Sequence, residues 1–298
     1  MRVFLTGATG FIGSALVPLL QEAGHSVVGL ARSDRSASTL AGLGAEAHRG
    51  DLGDLDALRE AAAAADGVIH TAFIHDFSDY AAASLTDLRA IEAIGAALAG
   101  SDRPFVVTSG TAGLTPGTVA TEDTPADPAV PGALRAPSEQ AALALAERGV
   151  RASVVRLPPS VHGPGDKGFV PTLIRIAREK GASAYLGDGG NRWPAVHRLD
   201  AARLFRLALE EAPAGARLHG VADEGVPFRG IAAAIGRGLG VPVESLAADR
   251  ALDHFGWLGT FALSDVPASS ALTRERLGWR PQEPGLEDDL DEGFYFRT

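Results

Sequence analysis

The stretch LTGATGFIG, Leu5 to Gly13, sets three glycines directly behind an apolar run and at the head of a helical one. Each glycine has a physical use there. Gly7 permits a tight strand-to-helix turn, Gly10 lets the backbone approach a pyrophosphate, and Gly13 allows the helix to pack closely on the strand. The helix N-terminus then offers unpaired N–H groups to the phosphates. Outward from this turn, short β-branched runs alternate with Ala- and Leu-rich stretches, the pattern of βαβ units. Strands are expected at RVFLT, SVVGLA, AEAHR, GVIHTA, PFVVTS and ASVVRL, with helices starting near Phe11, Ser36, Leu55, Ser78 and Arg135. PFVVTS and ASVVRL are nearly continuous apolar runs, as strands covered on both faces should be. The expected class is α/β, a Rossmann-type doubly wound parallel sheet.

After Arg156 the rhythm changes. A turn-rich PPSVHGPGDKG precedes a helix at FVPTLIRIAREK, a strand at RLHGVA, a helix around RGIAAAIGRGLG and short helical pieces near the C-terminus. This divides the chain into a dinucleotide-binding domain over 1–157 and a smaller C-terminal α/β substrate-binding region over 158–298, partly interleaved with the first. The Pro-rich TPADPAVPGALRAP reads as a loop over a site.

Composition narrows the function classes. The 298 residues are 46% hydrophobic, enough for a substantial core. Lys and Arg number 27 against 37 Asp and Glu, a net charge of -10 without a basic stripe, which disfavours a nucleic-acid partner. The absence of cysteine excludes disulfides, thiolate metal sites and a cysteine nucleophile, and no metal is expected. No apolar run reaches the roughly twenty residues that span a bilayer, and the N-terminus lacks a basic leader and a cleavage site. A soluble, cytoplasmic protein acting on a small molecule is expected, as a monomer or as a homodimer paired through its Ala-rich helices.

The end of the second strand bears on the cofactor. An NAD site usually has an acidic residue there for the ribose 2′-hydroxyl, whereas NADP needs cations for the 2′-phosphate. GLARSDRS places Arg32 first, Ser33 next and Arg35 close behind, and a planar guanidinium suits a phosphate. Asp34 argues the other way, and solvated loop charges are the plain alternative. NADP(H) is favoured over NAD(H).

TGATGFIG, GDLGD at Gly50 to Asp54, DGVIHTA at Asp66 to Ala72, VVTSGTAG, VVRLPPSVHGPGDKGF, WPAVHRLDAARL and LTRERLGWRP follow in an order and spacing that resemble the short-chain dehydrogenase/reductase superfamily, extended or atypical branch. The resemblance covers nearly the whole chain. It implies cofactor contacts from Gly7, Thr9, Gly10, Phe11, Ile12 and Gly13, from Arg32 and Ser33, and from Asp51 and Leu52 against the adenine. It extends them to Thr71, Ala72 and Phe73 closing over the cofactor, with Thr108, Pro158 and Ser160 beyond. In the family a Ser or Thr after the fifth strand orients the substrate oxygen, a tyrosine passes the proton, and a lysine four residues later lowers the tyrosine's pKa and holds the nicotinamide ribose. Thr108, Ser109 and Thr111 can supply the first role. The other two positions, in PGALRAPSEQAAL, hold Arg135 and Glu139.

A guanidinium stays protonated and cannot cycle as a general acid, although it can polarise an oxygen, bind an anion or contact the cofactor. Glu139, one helical turn on, would share its face and orient it through an i, i+4 pair, or the two form a surface salt bridge. Other proton sources are His75, with Asp76 beside it, just beyond the fourth strand; His162 after the sixth; and Tyr185, the tyrosine best placed for the pocket. Trp193 is expected in the pocket wall. His197 is expected to brace the two domains through Asp200. These residues point to an NADPH-dependent reductase of an apolar imine, activated alkene or ketone. An NADP(H)-binding redox-sensing regulator without turnover is the alternative, and a sugar-nucleotide epimerase or dehydratase, which leans on the missing tyrosine, ranks last.

Overall fold

The computed structural model describes residues 1–75 and 79–297. The expected strands form at β1 Arg2–Thr6, β2 Ser26–Ala31, β3 Glu46–Arg49, β4 Gly67–His70, β5 Pro104–Gly110 and β6 Arg151–Leu157. Between them run α1 Gly13–Glu22, α2 Asp34–Gly42, α3 Leu55–Ala63, α4 Tyr80–Leu98 and α5 Ala136–Ala144. The helix expected to begin near Ser78 is described from Tyr80, since residues 76–78 lie outside the described chain.

Beyond β6 come β7 Ser160–His162, α6 Phe169–Lys180, β8 Ser183–Leu186, β9 Arg192–His197, α7 Arg198–Glu211, β10 Ala216–His219, β11 Asp223–Pro227, α8 Phe228–Leu239 and β12 Val243–Leu246. Four short helices follow: α9 Ala251–Phe255, α10 Gly259–Ala262, α11 Ala271–Leu277 and α12 Leu286–Asp291.

The main sheet is parallel, in the order β10-β6-β5-β4-β1-β2-β3. Its central strands are largely apolar on both sides because both sides are covered. Val3, Leu5, Ile69, Val106 and Val155 join one core with α1 and α7, while Phe4, Val68, Phe105, Val107 and Val154 join another with α3, α4 and α5. Alternation along each strand sends neighbours to opposite cores. The chain thus returns to the nucleotide-side sheet after residue 158, contributing α7 and β10.

The remaining C-terminal elements enclose a third core around Trp193, Phe228, Ile231 and Leu258, with the small sheets β11-β9-β7 and β12-β8. No helix among the described residues is long and apolar enough to cross a membrane.

A buried ion pair joins these layers. Arg156, on β6, is wholly enclosed and grips Glu139 of α5 through both prongs, Nε to Oε2 at 3.0 Å and Nη2 to Oε1 at 2.5 Å. Its Nη1 donates to the carbonyls of Thr124 at 2.9 Å and Glu122 at 3.3 Å, and Arg217 of β10 adds a donor to Glu139 at 3.3 Å. Burial pushes the Glu139 carboxyl up, but the bonds and charge of Arg156 more than offset it and hold it below the usual range. The expected i, i+4 pairing of Glu139 with Arg135 is therefore corrected: the buried guanidinium of Arg156 claims the carboxylate from the other side. Glu139→Lys would set two cations together in the core, and breaking such a pair costs about 3–5 kcal/mol. Urea melts should show a loss of that order for Glu139→Lys and a smaller one for Glu139→Gln.

Candidate active site

Gly7 has φ +73°, and a Cβ there would lie 2.7 Å from the Ala72 nitrogen and 2.8 Å from Thr71 Oγ1. The turn after β1 is thus pressed against the end of β4. Thr71 Oγ1 donates to the Thr6 carbonyl at 2.8 Å, and the Ala72 N–H donates to Thr6 Oγ1 at 3.3 Å. A Cβ on Gly13 would meet the Gly7 carbonyl at 2.1 Å, so only glycine lets α1 start so close to β1. Thr9 and Gly10 are exposed, Phe11 and Ile12 half-buried, and no side chain caps α1. Such an open helix start suits a pyrophosphate.

Beyond β2, Ser33 caps α2 in a reciprocal pair with Ser36, and Asp34 is bound to Arg49. Exposed Arg32 and Arg35 make no ion pair with any described residue. Asp51 Oδ1 accepts from the Gly53 N–H at 2.7 Å, which shapes the loop after β3 and seats Leu52 against the core. Pro158 and Ser160 are buried where β6 leads into β7, and Ser160 Oγ has no hydrogen-bond partner among the described residues. The open helix start, the glycine approach and the free cation at the β2 end together fit a dinucleotide.

Arg135 immediately precedes α5 and turns its guanidinium inward. Nη2 donates to the Thr108 carbonyl at 2.7 Å and lies 3.4 Å from each oxygen of Asp87, on α4. The Phe73 ring lies beneath it, 4.3 Å from centroid to the guanidinium carbon, a cation–π contact. Burial pushes the Asp87 carboxyl up, but Arg135 and a hydrogen bond from His70 more than offset it and keep it ionised. His70 Nε2 lies 3.2 Å from Asp87, and its Nδ1 2.8 Å from Thr6 Oγ1. One polar chain therefore runs from the turn after β1 through His70 and Asp87 to Arg135.

Around Arg135 stand two ionisable rings. His75 packs edge-on against Phe73 with centroids 5.5 Å apart, and Tyr80, at the head of α4, does so at 5.9 Å. Crowding by surrounding protein, then the Arg135 charge, lowers the His75 pKa below its ordinary 6.5, although the ring still reaches solvent. Burial, opposed by Arg135 and aided by Asp87, raises the Tyr80 phenol above 10. Ser109 lies against the Glu139 carboxylate. Thr111 is buried, with no partner for its Oγ1 among the described residues.

Several expected site residues are placed elsewhere. Trp193 is not a pocket wall: it is fully buried, its Nε1 donating to the Phe261 carbonyl at 3.2 Å, because the C-terminal core closes round it. His162 is likewise enclosed and bound through Nδ1 to Asp289 at 2.6 Å, so it does not face an open crevice. Tyr185 lies on β8 against the same C-terminal core and stacks on Gly189, away from the Arg135 cluster.

Asp200 braces the C-terminal segment directly, accepting from the N–H groups of Gln282 at 2.8 Å and Glu283 at 3.0 Å. His197 instead accepts from the Leu199 N–H at 3.3 Å. Asp76 lies outside the described residues. Tyr80, His70 and Asp87 are the participants that sequence reasoning passed over. Asp87 follows Tyr80 by seven residues in an Ala-rich helix, a spacing that puts both on one face and could have marked them.

Residues 3–219 match the profile of the NAD dependent epimerase/dehydratase family. The chain is 52% identical to "Uncharacterized protein C2A9.02" of Schizosaccharomyces pombe over 99% of its own length and all of that protein. It is 30% identical to the 3-diazoavenalumate denitrifying reductase of a Streptomyces species, over 97% of this chain and 99% of the other. It is also 30% identical to the 2-alkyl-3-oxoalkanoate reductase of Stenotrophomonas maltophilia, over 81% and 77%. In fold it is similar to DesIV, a dTDP-glucose 4,6-dehydratase from Streptomyces venezuelae solved with NAD and TYD bound, at TM-score 0.80, 22% identity and coverage of 99% and 96%. The chain belongs to the NAD-dependent epimerase/dehydratase family, the extended short-chain dehydrogenase/reductases, whose members bind NAD(P) and act on small molecules.

Proposed function

We propose that this protein is an NADPH-dependent reductase of small, largely apolar molecules bearing a polarised double bond, in a ketone, an imine or an activated alkene. The observation that carries the reading is the placement of Arg135, a permanent cation at the C-terminal end of the sheet, where ligands of such folds bind. Only Nη2 of its three guanidinium nitrogens is engaged in the hydrogen bonds above, and Nε meets no acceptor among the described residues. A bound nicotinamide would supply hydride. Arg135 would stabilise negative charge developing on the substrate's oxygen or nitrogen, as preorganised donors do elsewhere.

The two 30%-identical relatives are reductases by name, which favours reduction over epimerisation. Arg32, with Asp34 already neutralised by Arg49, supports NADPH over NADH. A redox-sensing role without turnover remains the reading to adopt if no substrate is reduced.

Between the two rings beside Arg135, Tyr80 is the one in its acid form at neutral pH, since burial shifts His75 down, towards the neutral imidazole, and Tyr80 up. Tyr80 is assigned here as the proton donor for carbonyl substrates.

Four measurements test this. Arg135→Met alone strands a buried carboxylate, so it is compared with Arg135→Met/Asp87→Asn, in which no buried charge is left unpaired. Both should lose about 10²-fold in kcat while NADPH affinity holds. Unchanged turnover in the double variant refutes the role.

Tyr80→Phe should lower ketone reduction about 10²-fold or more and leave reduction of a preformed iminium ion intact, because that acceptor needs no proton. The kcat of the unaltered protein on ketones should stay level from pH 6.5 to pH 10, between the lowered His75 and raised Tyr80 values. A fall above a pKa under 6.5 would assign the proton to His75 instead.

Arg32→Ala should weaken NADPH binding about tenfold or more without changing NADH binding, read by cofactor fluorescence.

A further inference from the structure

A cavity of about 440 Å³ opens between the segment after β5 and the α10 region. Ala112, Val130 and Gly132 form one wall, and Phe261, Leu263 and Val266 face them. Two chain links tie it to the Arg135 centre. Ala112 follows Thr111, the buried hydroxyl without a partner among the described residues, and Gly132 lies three positions before Arg135. A Cβ on Gly132 would sit 2.3 Å from the Ala112 carbonyl, so the two segments are locked together and the wall is set by the same backbone that places Arg135.

The chemistry of the lining is one-sided. Among the described residues no Lys or Arg lines the cavity; its polar side chains are the hydroxyls of Thr260 and Ser264 and one acid, Asp265, which is occupied by Arg192, whose Nη2 donates to it at 2.8 Å. Exposed large apolar side chains stand beside it in the chain or in contact. Leu134 is 48% and Leu263 47% exposed, and Trp257, 40% exposed, packs edge-on against Phe169 and Phe261. Scattered exposed apolar residues are ordinary, but a set adjoining an apolar cavity marks a ligand-binding groove.

We propose that this cavity holds the uncharged, apolar arm of the substrate, while the reducible group lies at Thr111 and Arg135. The proposal rests on the reductase reading and narrows it. A diphosphate-bearing substrate would leave its charges without counter-ions here, whereas an alkyl or aryl arm is matched by both walls. At ~30 Å³ per water-sized group, the space takes about fifteen non-hydrogen atoms.

The test uses full-length protein loaded with NADPH and two homologous probe series. N-alkylacetamides, which NADPH does not reduce, report binding by calorimetry. Methyl ketones of the same chain lengths report turnover. In the unaltered protein, amide affinity and ketone kcat/KM should each rise up to about fourfold per added methylene until the cavity is full. Val130→Trp, which plugs the cavity, and Leu263→Glu, which charges its rim, should abolish that dependence and leave NADPH affinity and thermal midpoint unchanged.

Affinity independent of chain length, or unaffected by both substitutions, overturns the proposal. Length-dependent binding with no reduction of any acceptor keeps the cavity and removes the reductase. Reduction without length dependence does the reverse.

Discussion

Asp87 is a carboxylate with 1% of its surface exposed, set in an Ala-rich helix, and its charge must be met locally or the helix could not lie on the sheet. It is met by Arg135 and His70. That requirement draws Arg135 inward, over Phe73 and against the Thr108 carbonyl, and holds the His70 ring between α4 and Thr6. Thr6 in turn closes on the Ala72 N–H beside the glycine turn. The geometry of the nucleotide-binding turn and the position of the site's cation are thus parts of one buried polar chain. In a dry interior such chains are rigid when every member is satisfied.

A second buried pair, Arg156 with Glu139, anchors α5 to the sheet. The Glu139 carboxylate is neutralised by Arg156 of β6, with Arg217 of β10 beside it. Tyr80 and His75 pack on Phe73 beside Arg135. Arg156 also binds the 122–124 segment and stands beside β10, so the α5 helix that follows Arg135 is anchored in the C-terminal half of the chain.

The fold was legible because it depends on local signals: glycine spacing, β-branched runs covered on both sides, and turn-rich breaks. The glycine turn after β1 was legible for the same reason, since its residues are consecutive. The reactive cluster was not, because its members come from β4, the loop after it, α4 and the start of α5, and only the sheet order brings them together. The i, i+4 rule sees the Arg135 and Glu139 spacing but not the stronger partners that α4 and β6 offer. Trp193 and His162 misled for a related cause. Their motifs lie near a site in sequence, yet an indole and a Nδ1-bound imidazole are also what a core under a site is made from.

The arrangement sets a limit on how the site can adapt. The segment after β5 cannot slide against the 131–135 turn, because Gly132 and Ala112 meet backbone to backbone with no room for a Cβ. It is tied at its far end to the C-terminal unit by the Gly117 N–H on the Asp265 carbonyl at 2.8 Å and the Ala120 N–H on that of Pro267 at 2.9 Å. Any shift of the α10 region that widened the cavity would therefore pull on the backbone that holds Thr111 and positions Arg135. Adapting to a larger apolar arm by side-chain replacement at Val130 or Leu263 avoids that coupling, since both project from the walls without bearing on the frame. On the proposed reading, change in substrate size and change in chemistry are in this way separable, the first carried by Val130 and Leu263 and the second by buried charge.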